Sequence, residues 1–517
     1  MKPYYITTSI AYPNAAPHIG YALELVQADF LARYYRQMGF PVKFLTGVDV
    51  HGLKIQRAAE KTGQSVEAFV AEKSGIFETL AGTLGLSHDR FISTGDEDHI
   101  AMSQALWRAC AANGDIYKKS YRAWYNVKEE EFLGMVDEVA DPKTLGVNPE
   151  FIEMIDEENY FFALSKYQGQ IVELLKSGAY EVVPQNRLKE MLNFVEQKGL
   201  QDVSISREKS KLAWGVPVPD DDSQVMYVWF DALTNYLTGS GTVVDGTIQL
   251  GEFWPADLHC VGKDIQRFHA LLWPGMLLSA GLTLPKRLLV HDFLTSQGQK
   301  MSKSIGNVVD PFPEMERFGT DPVRWYLLKE VSTTGESDYT SSRVLEVYTA
   351  DLANDLGNLA SRVWTMCQKY TEGKVPNVTP EQVDNLERVI VEEAWREYHR
   401  LVGELKIDQA LRQAHNLLVF CNKRIDELKP WVLAKDPDKK TDLEELLYEL
   451  LEILRNVVVM IAPAMPETAE RIAKSVYATE GDEGWKSMEV GSVWGRLQPG
   501  AALGAEAVIL FPRIEPA

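Results

Sequence analysis

Two lysines near residue 300 are the side chains best suited to chemistry on a phosphate. Lys300 and Lys303 enclose Met301 and Ser302 in the run Lys-Met-Ser-Lys-Ser, which follows a Gln-Gly-Gln turn. Two ammonium groups three residues apart on a loop can bind a triphosphate, and they supply positive charge where negative charge accumulates on a departing pyrophosphate. A solvated basic turn is the alternative for such a loop, so a nucleotide site needs support from a second motif.

A second motif lies where the first strand-like run passes into a helix-like one. Pro17, His18, Ile19 and Gly20 occupy this turn, and in a doubly wound sheet ligands bind at the carboxyl ends of the strands. A phosphate there would meet the N–H groups and the dipole of the helix N-terminus, with His18 beside it. Gly20 has no side chain, so a flat base could approach the backbone. By itself, a histidine after a proline is more often a cap or a packing residue.

The elements that must position these motifs alternate between strand and helix. Residues 4–10 and 42–48 are rich in aromatic, β-branched or apolar side chains, which favours strands. Between them, apolar residues recur at helical spacing from Ile19 until Gly39 closes the pattern. This order predicts an α/β domain with a Rossmann-like, doubly wound parallel sheet. Three further strand-like runs follow: residues 225–229, 258–261 and 287–293.

The second half of the chain is predicted to be helical. Apolar residues form one stripe from Leu443 to Ile461, Thr441 with Glu444 resembles a capping box, and Pro463 ends the run. An aromatic-rich, irregular stretch interrupts the earlier sheet pattern. We therefore predict five segments: the first half of the α/β domain at 1–116, a connective insertion at 117–214, the second half of the α/β domain at 215–345, an α-helical bundle at 346–475 and a C-terminal extension at 476–517.

Charge and cysteine spacing limit the classes of function. The 517 residues have a formal net charge of −21, the wrong sign for non-specific binding of nucleic acid through its phosphates. RNA binding would therefore use a local basic strip and contacts to unstacked bases. No apolar leader and no membrane-spanning stretch are present, so we expect a cytoplasmic protein without membrane contact. The cysteines are too far apart for a zinc knuckle and are expected to be buried and reduced: Cys110, Cys260, Cys367 and Cys421.

The two motifs in this order resemble those of the class I aminoacyl-tRNA synthetases, whose first motif reads His-Ile-Gly-His and whose second reads Lys-Met-Ser-Lys-Ser. Further blocks resemble the methionyl-tRNA synthetase family: Thr-Gly-Val-Asp-Val-His-Gly at 46–52, Trp-Phe-Asp-Ala at 229–232, Gly-Lys-Asp-Ile at 262–265 and Leu-Phe-Pro-Arg at 510–513.

The resemblance implies a methionine–tRNA ligase. ATP and L-methionine would give methionyl-adenylate and diphosphate by in-line attack of the carboxylate on the α-phosphorus, without a covalent enzyme intermediate. The methionyl group would then pass to tRNA(Met), including the initiator tRNA, with release of AMP. Mg²⁺ would accompany ATP, and no zinc is expected because the insertion contains no cysteine.

The resemblance also assigns residues to ATP. His18 and Lys303 would stabilise the attack on the α-phosphate and the leaving pyrophosphate, with support from Lys300. The chain departs from the family at two positions: Tyr21 replaces the second histidine of the first motif, and Val50 replaces a glutamate. Tyr21 can donate a hydrogen bond but cannot become positively charged. The implied ATP-binding set is His18, Gly20, Tyr21, Glu24, Gly262, Asp264, Lys300, Ser302 and Lys303.

A methionine pocket follows from the same resemblance. Asp49 would pair with the ammonium group, and aromatic walls would suit the polarisable sulfur. A phenol such as Tyr236 and the backbone N–H of Ile10 could donate hydrogen bonds to the thioether. Without the flanking motifs, these residues would be interpreted as aromatic core. The implied set is Ile10, Tyr12, Asp49, Trp229, Leu233, Tyr236, Ile265 and His269.

The helical bundle would bind the anticodon. Asn358 and Arg362 are four residues apart and share one helical face, and Trp431 follows Pro430. In the family, matching positions recognise the CAU anticodon: the tryptophan stacks on a base, and the other two bind base edges. The alternative for Trp431 is a packing residue at a helix start. No C-terminal dimerisation domain follows the bundle, so we expect a monomer.

Several other functions are alternatives to a methionine ligase. Synthetases for isoleucine, valine and leucine have a large editing domain, for which an insertion of about 100 residues is too short. The synthetase for cysteine uses a zinc–thiolate site, and this chain has no matching cluster of cysteines. Two alternatives remain. One is a synthetase-like protein without ligase activity. The other is a nucleotidyltransferase with the same sheet fold, which does not explain a long helical bundle.

Overall fold

The structure is a computed structural model that describes residues 1–127, 131–135, 141, 144, 146–301, 306–383, 385–476, 484–504 and 510–515. Its centre is a six-stranded parallel sheet with the order β3-β2-β1-β5-β6-β4, which confirms the predicted doubly wound α/β domain. In chain order the strands are β1 (Tyr4–Ala11), β2 (Val42–Val48), β3 (Arg90–Ser93), β4 (Glu181–Val183), β5 (Leu258–Gly262) and β6 (Arg287–His291).

Two apolar cores cover the two faces of this sheet. Successive strand residues belong to different cores: Tyr4 and Ile6 pack on one side, whereas Tyr5 packs on the other. This alternation follows from the two-residue period of a strand and requires helices on both faces. The helices of this domain are Ile19–Gln37, Leu53–Thr62, Val66–Thr83, Glu97–Ala112, Val228–Leu233, Asn235–Thr238, Trp273–Ser279, Pro311–Phe318 and Thr320–Trp325.

One predicted strand is wrong in part. The run at 225–229 forms a short strand, Gln224–Met226, which pairs with Ser206–Glu208 outside the central sheet. Trp229 lies instead in the helix Val228–Leu233. The reason is that a short, continuous apolar run has no periodicity that distinguishes a buried strand from a buried helix.

The connective insertion is an antiparallel sheet with two helices. Its strands are Ile116–Asn126, Glu131–Met135, Ile152–Phe162 and Val203–Ser204, and its helices are Gln168–Ser177 and Gln185–Lys198. Between the two helices, β4 returns to the edge of the central sheet and pairs with β6. The segment 117–214 is therefore not a continuous insertion, since three of its residues, Glu181–Val183, complete the α/β sheet.

The second half of the chain is a helical bundle, as predicted. Its helices are Ser341–Val347, Asn358–Tyr370, Asn385–Gly403, Ile407–Leu428, Pro430–Leu433, Lys440–Ile461 and Pro466–Val476. The helix Lys440–Ile461 differs from the predicted single stripe, because residues 446–461 are buried on every side. The predicted capping box is also wrong: the helix begins at Lys440, so Thr441 lies inside its first turn and makes no cap.

A buried arginine of the α/β domain joins this domain to the bundle. Arg324 is fully buried and donates to Asp29 of the first helix at 2.7 Å, and to the carbonyl oxygens of Pro463 and Ala464 at 3.0 and 2.8 Å. Burial opposes ionisation of Asp29, but Arg324 and Arg33 outweigh it and lower the pKa of this carboxyl.

No helix among the described residues is long and apolar enough to cross a bilayer.

Candidate functional site: a nucleotide and amino-acid cavity

The first helix begins at the turn predicted for the nucleotide site. His18 is its N-cap, with an extended backbone (φ −125°, ψ 167°), and its Nδ1 accepts a hydrogen bond from the N–H of Tyr21 at 3.3 Å. A Cβ at Gly20 would lie 3.0 Å from that Nδ1 and 3.6 Å from Cε of Met301. Gly20 thus leaves the space in which the imidazole of His18 folds over the helix start.

A cavity of about 570 Å³ opens at the carboxyl ends of β1, β2, β5 and β6. This edge is where the strand order reverses beside β1, the expected place for a ligand in such a sheet. Ser302 and Lys303 lie outside the described residues. All other residues predicted for ATP and methionine line the cavity: Ile10, Tyr12, His18, Gly20, Tyr21, Glu24, Asp49, Trp229, Leu233, Tyr236, Gly262, Asp264, Ile265, His269 and Lys300.

Glu24 is the buried acid on the nucleotide side of the cavity. Its Oε1 accepts from the N–H and hydroxyl of Ser9 at 2.8 and 2.5 Å, and its Oε2 lies 3.0 Å from Nε2 of His291. Burial opposes protonation of His291, but Glu24 outweighs it and raises the pKa of the imidazole. His291 was not predicted, although it is the last residue of β6 and so lies, like Asp49, at the carboxyl end of a strand, where ligands bind in such a sheet.

Two residues at the end of β5 form the adjoining wall. A Cβ on Gly262 would lie only 2.8 Å from Oδ1 of Asp264, so glycine permits the Asp264 carboxylate to fold against the strand end. His291 also contacts this position, at 3.6 Å from the same hypothetical atom. The wall therefore presents a carboxylate and an imidazole, groups that can bind ribose hydroxyls.

Lys300 follows a tight hairpin that positions it at the mouth of the cavity. The strands Leu294–Ser296 and Gln299–Lys300 are joined by Gln297 and Gly298, both with positive φ (55° and 71°). The ammonium group of Lys300 lies 3.9 Å from the centre of the Phe293 ring, which is a cation–π contact. An aromatic face thus accommodates the charge of this lysine.

Asp49 lies directly after β2, which is two strands away from β5 in the central sheet. It is buried, and its Oδ1 accepts from the hydroxyl of Thr94 at 3.2 Å and from the N–H of His51 at 3.3 Å. Its own N–H donates to the carbonyl of Ala11 at 2.7 Å. These bonds fix a carboxylate at the cavity wall, where it can accept hydrogen bonds from an ammonium ion.

Aromatic side chains form another part of the cavity wall. Trp229 stacks on Phe268 with ring centroids 3.8 Å apart and an interplanar angle of 8°. Behind it, the hydroxyl of Tyr236 lies 2.7 Å from Nε2 of His269. Flat, polarisable walls of this kind suit a thioether side chain.

The proton positions at Tyr236 follow from the partners of His269. Nδ1 of His269 lies 3.0 Å from the carbonyl of Ile265, which can only accept, so Nδ1 bears the proton. Burial lowers the pKa of His269 to about 4, so the ring is neutral at pH 7 and Nε2 accepts from Tyr236. The hydroxyl proton of Tyr236 therefore points to His269. The expected donation from Tyr236 to the thioether is not present in this arrangement.

Stability at mildly acidic pH should report on His269. Because its folded pKa is about 4 and its unfolded pKa is about 6.5, protons bind preferentially to the unfolded chain between these values. This group alone should reduce the unfolding free energy by about 3 kcal/mol as pH falls from 7 to 4. Gln can still accept from Tyr236 but does not titrate. Urea unfolding of His269→Gln should show a correspondingly smaller pH-dependent loss than the wild type, and equal losses would contradict the buried neutral state.

The two departures from the family motif occupy different environments. Tyr21 lines the cavity, its hydroxyl lies 3.5 Å from the carbonyl of Gly47, and burial raises its pKa above the ordinary value, so it stays an uncharged phenol. Val50 is buried with Val48 and Ile55 in a small apolar cluster and does not line the cavity. The change at 50 therefore affects the support of the Asp49 loop rather than the surface that a ligand meets.

The residues predicted for the anticodon lie on two helices of the bundle. Asn358 is exposed where the π-helical segment Tyr348–Gly357 continues as the helix Asn358–Tyr370, and Arg362 follows one turn later. Arg362 forms an ion pair at 3.3 Å with Asp426, five residues before Trp431. Trp431 is 45% exposed in the short helix Pro430–Leu433, so it is not the buried packing residue of the alternative interpretation.

No group of three or more His, Cys, Asp or Glu side chains that could hold a metal ion occurs among the described residues. The cysteines are buried and unpaired with one another, as predicted: Cys110, Cys260, Cys367 and Cys421.

Comparisons with known families place this cavity in context. The family described as "tRNA synthetases class I (M)" matches residues 4–137 and 135–364. The family described as "Anticodon-binding domain of tRNA ligase" matches residues 390–494. The first match spans the α/β domain with its insertion, and the second covers most of the helical bundle.

Curated relatives match along nearly the whole chain. A methionine–tRNA ligase from Brucella suis biovar 1 is 42% identical over 477 residues, 91% of either chain. One from Mycobacterium bovis is 39% identical over 523 residues, 100% of this chain and 99% of its own. The solved structure of Mycobacterium tuberculosis methionyl-tRNA synthetase in complex with methionyl-adenylate has a TM-score of 0.91 at 38% identity and covers 99% of this chain and 100% of its own. The chain therefore belongs to the methionyl-tRNA synthetase family of class I tRNA synthetases.

Proposed function

We propose that the protein is a methionine–tRNA ligase that forms methionyl-adenylate from ATP and L-methionine and transfers the methionyl group to tRNA(Met), including the initiator tRNA. The observation that supports this most directly is one cavity lined by two unlike sets of side chains. One set is the carboxylate of Asp49 with aromatic side chains, and the other is Glu24, Asp264 and Lys300. A related structure contains methionyl-adenylate, the product of the proposed first step.

The proposed chemistry of the first step is displacement at the α-phosphorus. Asp49 holds the ammonium group of methionine, so that the carboxylate points towards the nucleotide end of the cavity. His18, at the start of the first helix, and the lysines of the second motif stabilise the charge that moves onto the pyrophosphate. No side chain has to form a bond with the substrate, so positioning and electrostatics supply the rate acceleration.

We propose that Mg²⁺ enters with ATP rather than at a site built by the protein. The described residues offer no group of three or more metal-binding side chains, and Mg²⁺ commonly takes one or two protein carboxylates together with substrate phosphates and water. The ion would neutralise part of the phosphate charge when bound. Binding, orientation and exclusion of water remain the work of the residues described above.

Methionine-dependent exchange of pyrophosphate into ATP is the experiment that tests the function. The purified protein should support exchange with methionine and not with leucine, isoleucine or cysteine, because the aromatic wall around Trp229 and Tyr236 suits an unbranched thioether. No exchange with any amino acid would favour a binding protein without ligase activity. Exchange with another amino acid at the methionine level would assign the pocket to a different synthetase.

We further propose that the folded protein contains no zinc. The insertion has no cysteine, and the four cysteines elsewhere are buried at separate places. Elemental analysis should find much less than one zinc per chain, and treatment with a chelator should change neither the melting temperature nor exchange activity. One zinc per chain that resists dialysis would contradict this proposal.

The remaining proposals concern assembly and location. We propose a monomer that works in the cytoplasm, where its tRNA substrate is charged. Light scattering or sedimentation at micromolar concentration should give the mass of one chain, 58.3 kDa. A stable mass of twice this value would contradict the monomer.

A further inference from the structure

A buried carboxylate lies directly behind the methionine end of the cavity. Asp231 is 1% exposed; its Oδ2 lies 2.6 Å from Nδ1 of His51, and its Oδ1 lies 2.7 Å from Nε2 of His99. Burial opposes ionisation of Asp231, but the two histidines outweigh it and lower its pKa to about 2. Asp231 is therefore a carboxylate, and each ring donates one N–H to it.

Asp231 lies on the helix that forms the aromatic wall. Trp229 and Leu233 are four residues apart on this helix, and both line the cavity. Asp231 lies between them in the sequence and points away from the cavity, towards the two histidines. A helix of six residues has little stability of its own, so its position depends on contacts such as these.

His51 connects the same carboxylate to the loop that holds the ammonium partner. It lies two residues after Asp49, and its N–H donates to Oδ1 of Asp49 at 3.3 Å. The intervening Val50 donates its N–H to the hydroxyl of Thr94 at 2.9 Å. The Asp231–His51 bond therefore links the helix that bears Trp229 to the loop that bears Asp49.

His99 holds the carboxylate from a third element. It belongs to the helix Glu97–Ala112, is fully buried, and is not among the residues that line the cavity. The hydroxyl of Ser103, one turn later, lies 3.4 Å from Oδ1 of Asp231. His99 can therefore influence a ligand in the cavity through Asp231, without touching the ligand.

We propose that Asp231 is a positioning residue for methionine: with His51 and His99 it fixes the aromatic wall at Trp229 relative to the carboxylate of Asp49. The proposal rests on the function proposed for the cavity. It places the effect on methionine and not on ATP, because the bonds of Asp231 and His51 reach the helix of Trp229 and the loop of Asp49, which are the residues predicted for methionine. Groups that orient the residues contacting a ligand commonly change affinity by tenfold or more when they are lost.

Amide substitutions at the two histidines provide a matched test. The side-chain amide of Asn places its nitrogen where Nδ1 of histidine lies, whereas Gln places it where Nε2 lies. His51 uses Nδ1, so His51→Asn should keep the bond to Asp231, and His51→Leu and His51→Gln should lose it. His99 uses Nε2, so His99→Gln should keep the bond, and His99→Leu and His99→Asn should lose it.

The readout is the Michaelis constant for each substrate in pyrophosphate exchange. Variants that lose the bond should have a KM for methionine about tenfold higher, with the KM for ATP within about twofold of wild type. Variants that keep the bond should stay within about twofold for both substrates. KM does not depend on the concentration of active enzyme, so partial unfolding of a variant does not imitate this pattern.

Two outcomes would overturn the proposal. One is an unchanged KM for methionine in both leucine variants, whatever happens to their melting temperatures. The other is a lower KM for methionine with the same amide, Asn or Gln, at both positions. That result would show that side-chain volume matters rather than the position of the donor. A wild-type protein that shows no exchange with methionine would instead overturn the proposed function.

Discussion

Lys303→Ala is expected to slow the formation of methionyl-adenylate by ~10²–10³, the range for removing one preorganised charge-stabilising group. Negative charge moves onto the pyrophosphate as it leaves, so the ammonium group contributes more to the transition state than to the bound substrates. The KM for methionine should change little, because Asp49 and Trp229, which are proposed to bind methionine, are unchanged in this variant. Single-turnover measurement of adenylate formation, with ATP and methionine in excess, isolates this step.

The position of Lys300 gives this prediction a structural basis. Its ammonium group lies at the cavity on the face of Phe293, and Lys303 follows three residues later in the sequence. Lys440→Ala, a change of an exposed lysine at the start of a bundle helix, is the matched control and should not affect the rate. Adenylate formation at the wild-type rate in Lys303→Ala would remove the lysine from the mechanism.

The residues of the cavity were predicted from the resemblance to the family motifs, and strand-end positions explain why those motifs meet in one place. Asp49 and Gly262 each lie at or just after the carboxyl end of a short apolar run, and in a parallel sheet these ends converge on one edge. The same rule would have identified His291, which ends β6. The strand-like run predicted at 287–293 extends beyond it, so the sequence does not mark His291 as a strand end.

Contacts between distant segments were not predictable in the same way. Asp231 meets His51 and His99, which are 180 and 132 residues away in the chain, and no local pattern brings three such residues together. The prediction of a single buried face on the helix Lys440–Ile461 failed for a similar reason. Residues 446–461 show an apolar stripe, but Glu452 and Arg455 on the other side form a buried ion pair and are also enclosed. Local periodicity predicts which face is apolar and not how many neighbours surround a helix.

Trp431→Ala should leave methionine-dependent pyrophosphate exchange nearly unchanged while aminoacylation of tRNA(Met) falls about tenfold to a hundredfold. Stacking of an aromatic side chain on a base is worth roughly 1–3 kcal/mol, and about 1.4 kcal/mol corresponds to a factor of ten. The cavity proposed for adenylate formation lies in the α/β domain, and this step needs no tRNA. Trp431, by contrast, lies in the bundle, beside the segment that Arg362 contacts through Asp426.

The exposure of Trp431 separates this effect from loss of stability. Truncation of a fully buried tryptophan costs ~3–5 kcal/mol of stability. Trp431 is 45% exposed and belongs to none of the apolar core clusters of the described residues, so the melting temperature of Trp431→Ala should change little. Val432→Ala is the matched control, since Val432 is the adjacent exposed apolar residue and has no ring to stack on a base. It should keep both exchange and charging. Equal loss of exchange and charging in Trp431→Ala, together with a lower melting temperature, would show that the side chain stabilises the bundle and that the anticodon is bound elsewhere.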